Sequence, residues 1–564
     1  MKKNKFAFLL ALAAIATLTW SFKEDLFLVS KNLDIFASLY KEISVNYVEE
    51  TNPSDLMKTG IDAMLDTLDP YTTYVPESEV EDYKLKYVST QFGGIGISTV
   101  FIGGKLFVSE VSENYPAFKQ GIVAGDEVVK INDLDIKGKD RTEVSHLLRG
   151  PRGSSLNLVL LREGAQLRKE LIREEIRQPN VSYSGMIGDI GYIRLDKFLE
   201  NAAQEVNDAA VELNKQHPKG IVLDLRYNGG GILQEAVKIV NLFVNKEIVV
   251  VTQKGRNPEK TINYRTSSQP LLPSLPLVVL INGSSASASE IVAGAVQDLD
   301  RGVIVGQRSY GKGLVQQTFN LPYNSLVKVT VAKYFTPSGR CIQAIDYSPK
   351  NAGKKSGKMA DSLWVKFNTR TGRSVYNGSG VYPDVQVEAR KLSPLTIALV
   401  NKSMFFDYAN AYKKAHAVIA DPADFKLTDA EYLDFVNSIE GKDYSYVSSS
   451  ERLLTQLKSE AEKEHKLPMV KADLENLKAK MLVTKKTELM LNKAEIKRVL
   501  ETQIVSRYAY EKGRIVQAFQ YDQDLDAAKS VLGNATKMLA ILKGEGAYKT
   551  IGDPAKTIAG SDSN

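Results

Sequence analysis

The spacing of apolar positions changes character along the chain, and each change predicts a different kind of element. Leu33, Phe36, Leu39 and Ile43 recur at helical spacing, and a second periodic stretch around Leu56–Leu68 stops at Asp69 and Pro70, so 32–83 reads as largely helical. From Phe92 the pattern shortens. Lys105–Val111, Glu127–Ile131 and Ser155–Arg162 are alternating runs separated by Gly, Pro and Asp, which predicts a small β-rich domain. Beyond Ile190, apolar strand-like runs (Gly191–Leu195, Gly220–Leu225, Leu277–Ile281, Val303–Gly306, Ser325–Phe335) alternate with helical patterns (Asn201–Gln216, Gly231–Val244, Gly283–Asp298). Strands alternating with helices predict an α/β core with a largely parallel sheet. After Asp384 the chain is rich in Lys, Glu, Ala and Leu and poor in Gly. It reads as helical, with Val470, Leu474, Leu477 and Met481 on one stripe.

The N-terminus follows another logic. Met1–Lys5 is basic and Phe6–Trp20 is apolar and uncharged, the layout of a secretory signal. Fifteen apolar residues fall short of the ~20 that span a bilayer. No A-x-A site follows, and Trp20 and Phe22 lie where cleavage would fall, so the segment is either cut atypically or kept as a membrane anchor. No Cys follows it, which excludes a lipoprotein. The mature chain is expected outside the cytoplasm, in a periplasm, free or anchored to the inner membrane.

Composition narrows the chemistry. At roughly 150 residues per domain, 564 residues suggest about four domains. A net charge of +6 is too small to imply nucleic acid, and 43% hydrophobic with 25% charged residues is ordinary for globular chains. One cysteine, Cys341, permits no internal disulfide and no CxxC motif, and is read as structural. There are four histidines, His146, His217, His416 and His465, and no cluster of metal-ligand residues, so no metal and no organic cofactor is expected.

Asn282–Glu290 (NGSSASASE) lies between an apolar strand and a helical pattern. Small residues at such a turn let the backbone bend sharply. A serine there stands beside the free N–H groups of a helix N-terminus, which can hold an oxyanion. A serine-rich helix cap explains this segment alone equally well. Histidine is the usual activator of serine, but none lies between His217 and His416, and all four read as surface or structural residues. A lysine held neutral by burial is the other activator. Gly306–Gln317 (GQRSYGKGLVQQ) offers Lys312 between two glycines, with Gln316 four residues on to orient it. To act near neutrality such a lysine must drop ~2–3 pH units from ~10.4, about 3–4 kcal/mol of desolvation.

Together these strings resemble the C-terminal processing peptidases, or tail-specific proteases, serine peptidases with a Ser-Lys dyad. Their serine turn corresponds to Asn282–Glu290 and their lysine loop to Tyr310–Gln316. The resemblance implies Ser287 as nucleophile, Lys312, 25 residues on, as base, and Gln316 as the family's glutamine, with Ser285 and Ser289 supporting the turn. A third family motif appears as Leu223–Gly231 (LDLRYNGGG), with Gly229 where relatives commonly have Pro. It implies that the Ala288 N–H and a glycine N–H, Gly230 or else Gly231, form the oxyanion hole. Ala332–Arg340 and Gly380–Asp384 close the family's core, with 344–379 reading as an inserted loop.

The β-rich domain resembles a PDZ domain. Gly94-Ile95-Gly96-Ile97 stands where such domains grip a peptide's terminal carboxylate, and Ala117–Asn132 matches their central run. The implied architecture is a crotonase/ClpP-like α/β protease core with an inserted PDZ domain, an N-terminal helical region and a C-terminal all-α domain. The expected boundaries are 1–22 signal or anchor, 23–87 helical, 88–178 PDZ, 179–390 peptidase core, 391–545 helical and 546–564 a frayed tail. The implied activity is an exported serine endopeptidase that recognises apolar C-terminal tails of proteins or peptides and works through an acyl-enzyme. The competing reading is a catalytically silent PDZ adaptor or scaffold. Self-association and an adaptor or activating partner stay open, and no nucleic-acid partner is expected.

Overall fold

The computed structural model describes residues 27–257, 259, 261–348, 356–481 and 485–553, so the expected signal segment and most of the expected frayed tail lie outside the described residues. Among the described residues no helix is long and apolar enough to cross a membrane. The chain divides into two compact units, one of residues up to 80 with 316–330 and 347–357, the other of 81–315, 331–346 and 358 onward.

The first unit holds a helix over 27–46 and a helix Pro53–Asp66 capped by Asn52, with Pro at its first turn. The segment read as helical to Tyr83 is interrupted. Asp69 accepts the backbone N–H of Tyr71 and Thr72 at 2.8 and 2.9 Å and turns the chain, after which Thr73–Val75 pairs antiparallel with Leu326–Lys328. A three-residue strand held by a partner more than 250 positions away leaves no periodic trace.

In the second unit, Ile97–Ile102, Lys105–Val111, Glu127–Ile131, Ser155–Arg162 and Ala165–Ile172 form an antiparallel sheet in that order, with Arg141–Leu148 as its helix. Its core buries Ile95, Val108, Ile131, Val144, Leu156, Leu158 and Leu160. Ile97–Ile102 is one edge strand of this sheet. The strands entering and leaving the domain, Gln91–Gly94 and Glu174–Arg177, pair with each other.

The core sheet runs Val181–Ile187, Ile190–Leu195, Ile221–Asp224, Leu277–Ile281, Val303–Gly306, Val385–Gln386. All pairs are parallel except the first. Every residue of Leu277–Ile281 is buried, which explains why this strand reads as a continuous apolar run. Ala202–Asn214, Leu233–Asn241 and Ala288–Asp298 cover one face.

The helical region divides. Leu395, Phe405, Tyr408, Tyr432, Phe435, Ile496, Leu500 and Ile504 form a core of their own. Gln523–Leu532 and Ala535–Lys543, read from sequence as part of that domain, instead bury Leu525, Ala528, Val531, Met538 and Ile541 on the second face of the core sheet, against Val222, Val278, Leu280, Val303 and Val305. Periodicity shows that a helix has an apolar face but not what that face meets. The stripe on Leu467–Met481 stays unburied.

Candidate active site

The strand Leu277–Ile281 delivers the chain into the serine turn, and the turn is held by its own side chains. Asn282 Oδ1 accepts the N–H of Ser284 at 3.1 Å and of Tyr227 at 3.0 Å. Ser285 Oγ accepts the N–H of Asn282 at 2.9 Å and donates to Leu225 O at 2.8 Å. Ala286 N–H and Ser289 Oγ both donate to Asn228 O, at 3.0 and 2.8 Å. The 225–230 loop and the serine turn are thus one hydrogen-bonded block, and Ser285 and Ser289 spend their hydroxyls on it.

Ser287 sits at the junction with the helix Ala288–Asp298, half-exposed, at φ 56° and ψ −113°. A non-glycine residue held there carries roughly 1–3 kcal/mol of backbone strain, as at the strand-to-helix elbows of α/β-hydrolases. Contacts beyond the helix's own ladder hold it. Its carbonyl accepts the hydroxyl of the buried Tyr334 at 3.2 Å, and its N–H donates to Glu290 Oε2 at 2.8 Å.

Glu290 is the organising residue, one that motif reading treated only as a marker. It is fully buried. Oε2 also accepts the backbone N–H of Lys312 at 2.9 Å, and Oε1 accepts Gly311 N–H at 2.7 Å and Ser309 Oγ at 2.5 Å. One carboxylate oxygen therefore pins the backbones of Ser287 and Lys312 together. Burial pushes this carboxyl above its usual range, against the pull of its four donors. The S-x-x-E spacing, a capping signal, was the available clue in sequence. The lysine loop is further fixed by Tyr310 N–H to Ser285 O at 3.0 Å and Gly313 N–H to Gln343 Oε1 at 2.7 Å. Lys312 is half-buried.

Gly230 packs closely against Ser287. A Cβ there would lie 2.6 Å from Ala286 O and 2.8 Å from both Ala288 N and Ser287 Cβ, at φ +92°. Its N–H, expected in the oxyanion hole, is turned to Asn228 Oδ1 at 2.9 Å. Gly231 follows at φ +152°. Gly229 has open space around it. Gly230→Ala is therefore expected to lower the rate of any reaction at Ser287 by about 10–100-fold, and Gly229→Ala to stay within about twofold, in parallel steady-state assays. Gln316 belongs to the first compact unit, where its Nε2 donates to Thr330 Oγ1 at 3.1 Å.

The histidines sit elsewhere. His146 meets Asp82 at 2.6 Å, His416 stacks on Tyr412, and His217 and His465 are exposed. Among the described residues no group of three or more His, Cys, Asp or Glu is arranged to hold a metal.

In the β domain, Gly94, Ile95 and Gly96 are buried and Ile97 half-buried. Ile95 O accepts Ala117 N–H at 3.0 Å and Gly96 O accepts Ser112 N–H at 2.9 Å, so both carbonyls face inward. Gly96 has φ +77°, and a Cβ on it would meet Tyr115 Cβ at 2.5 Å. Ile97 and Phe101 of the edge strand and Leu147 of the helix stay half-buried around the domain core.

Comparison with known proteins places these features. Residues 189–350 match the model of peptidase family S41, 107–162 that of a PDZ domain, and 395–532 that of the C-terminal helical domain of a probable PDZ-protease. A carboxy-terminal-processing protease of Bartonella bacilliformis is 36% identical over 325 residues, which is 57% of this chain and 74% of that one. A probable CtpA-like serine protease of Staphylococcus aureus is 34% identical over 322 residues, 56% of this chain and 64% of that one. Among solved structures, the photosystem II D1 C-terminal processing protease is 28% identical, covering 62% of this chain and 85% of that one, with a TM-score of 0.34.

Proposed function

Because the chain belongs to the carboxy-terminal-processing proteases, serine-type peptidases of family S41 carrying a PDZ domain, we propose that it cleaves exported proteins or peptides after capturing their apolar C-terminal tails, through a Ser287–Lys312 dyad. The observation that carries this reading is the Glu290 carboxylate, which joins the strained backbone of Ser287 to the backbone of Lys312 in one buried block.

Ser287 Oγ attacks the scissile carbonyl while neutral Lys312 Nζ takes its proton. The developing oxyanion is received by the Ala288 N–H at the helix start and, with the Gly230 N–H held by Asn228, by the Gly231 N–H. Lys312 returns the proton to the leaving amine, and water then attacks the acyl-enzyme with Lys312 again as base. The basic and apolar segment before residue 23 would carry the chain across the inner membrane, with the mature protein working in the periplasm, free or anchored.

In the PDZ domain, the backbone N–H groups of Gly94–Ile97 would hold the tail carboxylate while the tail pairs with the edge strand Ile97–Ile102, its apolar side chains against Ile97, Phe101 and Leu147. The test is cleavage of a peptide with a free apolar C-terminus beside its C-terminal amide. Wild type should prefer the free acid by about tenfold or more, and Gly96→Ala should erase the preference and weaken tail binding in fluorescence anisotropy. Equal cleavage of acid and amide would remove the tail-recognition step. Tail binding with no cleavage under any condition would favour the adaptor reading.

A further inference from the structure

Arg226 immediately precedes the loop that abuts the nucleophile, and all five of its guanidinium N–H groups are engaged. Nε and Nη2 reach Asp224 at 3.0 and 2.6 Å. Nη1 and Nη2 reach Asp522 at 2.8 and 2.6 Å, a bidentate pair, and Nη1 also reaches Asp524 at 2.9 Å. The other oxygen of Asp524 accepts Gln307 Nε2 at 2.9 Å. Gln307 stands where the sheet gives way to the lysine loop, its own N–H on Ile281 O at 3.0 Å. The cluster is enclosed: the side chains of Asp224, Arg226, Asp522 and Asp524 are 3%, 13%, 14% and 14% exposed. Asp522 also caps the helix Gln523–Leu532 through Leu525 N–H at 3.0 Å, and that helix lies on the core sheet through Leu525, Ala528 and Val531.

We propose that Asp522 and Asp524, nearly 300 residues beyond Arg226, are positioning residues for peptide cleavage: together they brace the root of the 226–231 loop and the root of the lysine loop, so that the catalytic core is complete only with the C-terminal helix in place. The proposal rests on the reading of Ser287 and Lys312 as catalytic. Asp522 and Asp524 touch neither substrate nor reacting atoms and act through Arg226 and Gln307. Removing their charge leaves Arg226 with Asp224 alone and frees both loop roots. Sub-ångström drift at a nucleophile and its oxyanion donors costs rate more than binding.

The test compares full-length wild type, Asp522→Asn/Asp524→Asn, Asp524→Glu and Val531→Ala, the last loosening the same helix without touching the clamp. The double variant is expected to lose about 10–100-fold in kcat with KM within about twofold, and to slow fluorophosphonate labelling of Ser287 in step. Asp524→Glu should recover part of the loss. Val531→Ala, assayed well below its own melting temperature, should keep wild-type kcat. Wild-type kcat in the double variant overturns the proposal, as does an equal kcat loss in Val531→Ala, which would mean that docking of the helix alone matters. If wild type neither cleaves peptide nor labels at Ser287, the dyad reading itself fails, an outcome distinct from either of these.

Discussion

Lys312→Ala is expected to lower kcat for peptide cleavage by at least ~10³-fold, and Ser287→Ala by as much or more, with tail binding and melting temperature near wild type. General-base assistance is worth about 10²–10⁴-fold, and loss of the nucleophile removes the covalent route altogether. The two effects should not add. With either group gone, the remaining rate comes from the oxyanion donors and substrate binding, so the double variant should be no slower than the worse single one. Neither change should unfold the chain, since both side chains are only half-buried and the turns that carry them are fixed by backbone contacts to Glu290, Ser285 and Gln343. Single-turnover assays alongside melting curves decide this. Wild-type cleavage by either variant would refute the dyad, and a rate loss that tracks a fall in melting temperature would place the residue in the structure instead.

Glu290→Ala is expected to be the most damaging single change to both rate and stability. It strands four donors, the N–H of Ser287, Gly311 and Lys312 and the Ser309 hydroxyl, in a fully buried site. At about 1–3 kcal/mol for each unsatisfied buried group, with partial relaxation, the loss should be on the order of 3–5 kcal/mol. Cleavage should fall below detection, because the strained Ser287 backbone loses the contact that holds it. Glu290→Gln should rescue little, since its amide NH2 would face two of the donors. The pH dependence has a definite sign. The carboxyl is raised by burial above its ordinary 4.5, so the folded state keeps this proton to higher pH than the unfolded chain does. That contribution is present in full below the ordinary value and declines as pH rises through the window between the ordinary and the raised pKa. Wild type should therefore lose stability relative to Glu290→Gln across that window and run parallel to it above. Denaturant unfolding of both proteins from pH 4 upward measures it, and a constant difference throughout would show that Glu290 titrates normally.

How far these residues were legible in the sequence depended on how local their structure is. An apolar strand, a run of small residues and a helical pattern that follow one another marked the turn at 282–290, but a serine-rich cap fitted it equally well, and Ser287 was singled out only through the family motif. Lys312 was readable only through its spacing from Ser287 within a family motif; nothing local distinguishes it from a loop lysine. Gly96 was readable from its motif, and its φ of +77° together with the closeness of Tyr115 gives the physical reason for glycine. The bond from Gly230 N–H to Asn228 Oδ1 was not readable, because it depends on how a glycine-rich loop folds back on itself.

By itself, then, the sequence determined the succession of elements and the α/β character of the core, which follow from periodicity and burial within a few turns of chain, while the PDZ insertion and the serine turn were named through resemblance to a family's motifs. Only the tertiary structure decided which distant segments close on that turn. It brought the serine turn and 309–312 onto one buried carboxylate, and hydrogen-bonded the 225–230 loop to that same turn. It also set the helix after Asp522 on the core sheet, with Asp522 and Asp524 on Arg226. The physical reason is the same in each case. An apolar face or a charged side chain announces that it needs a partner, but the partner is chosen by packing and charge among segments hundreds of residues apart, and that choice leaves no pattern in either segment alone.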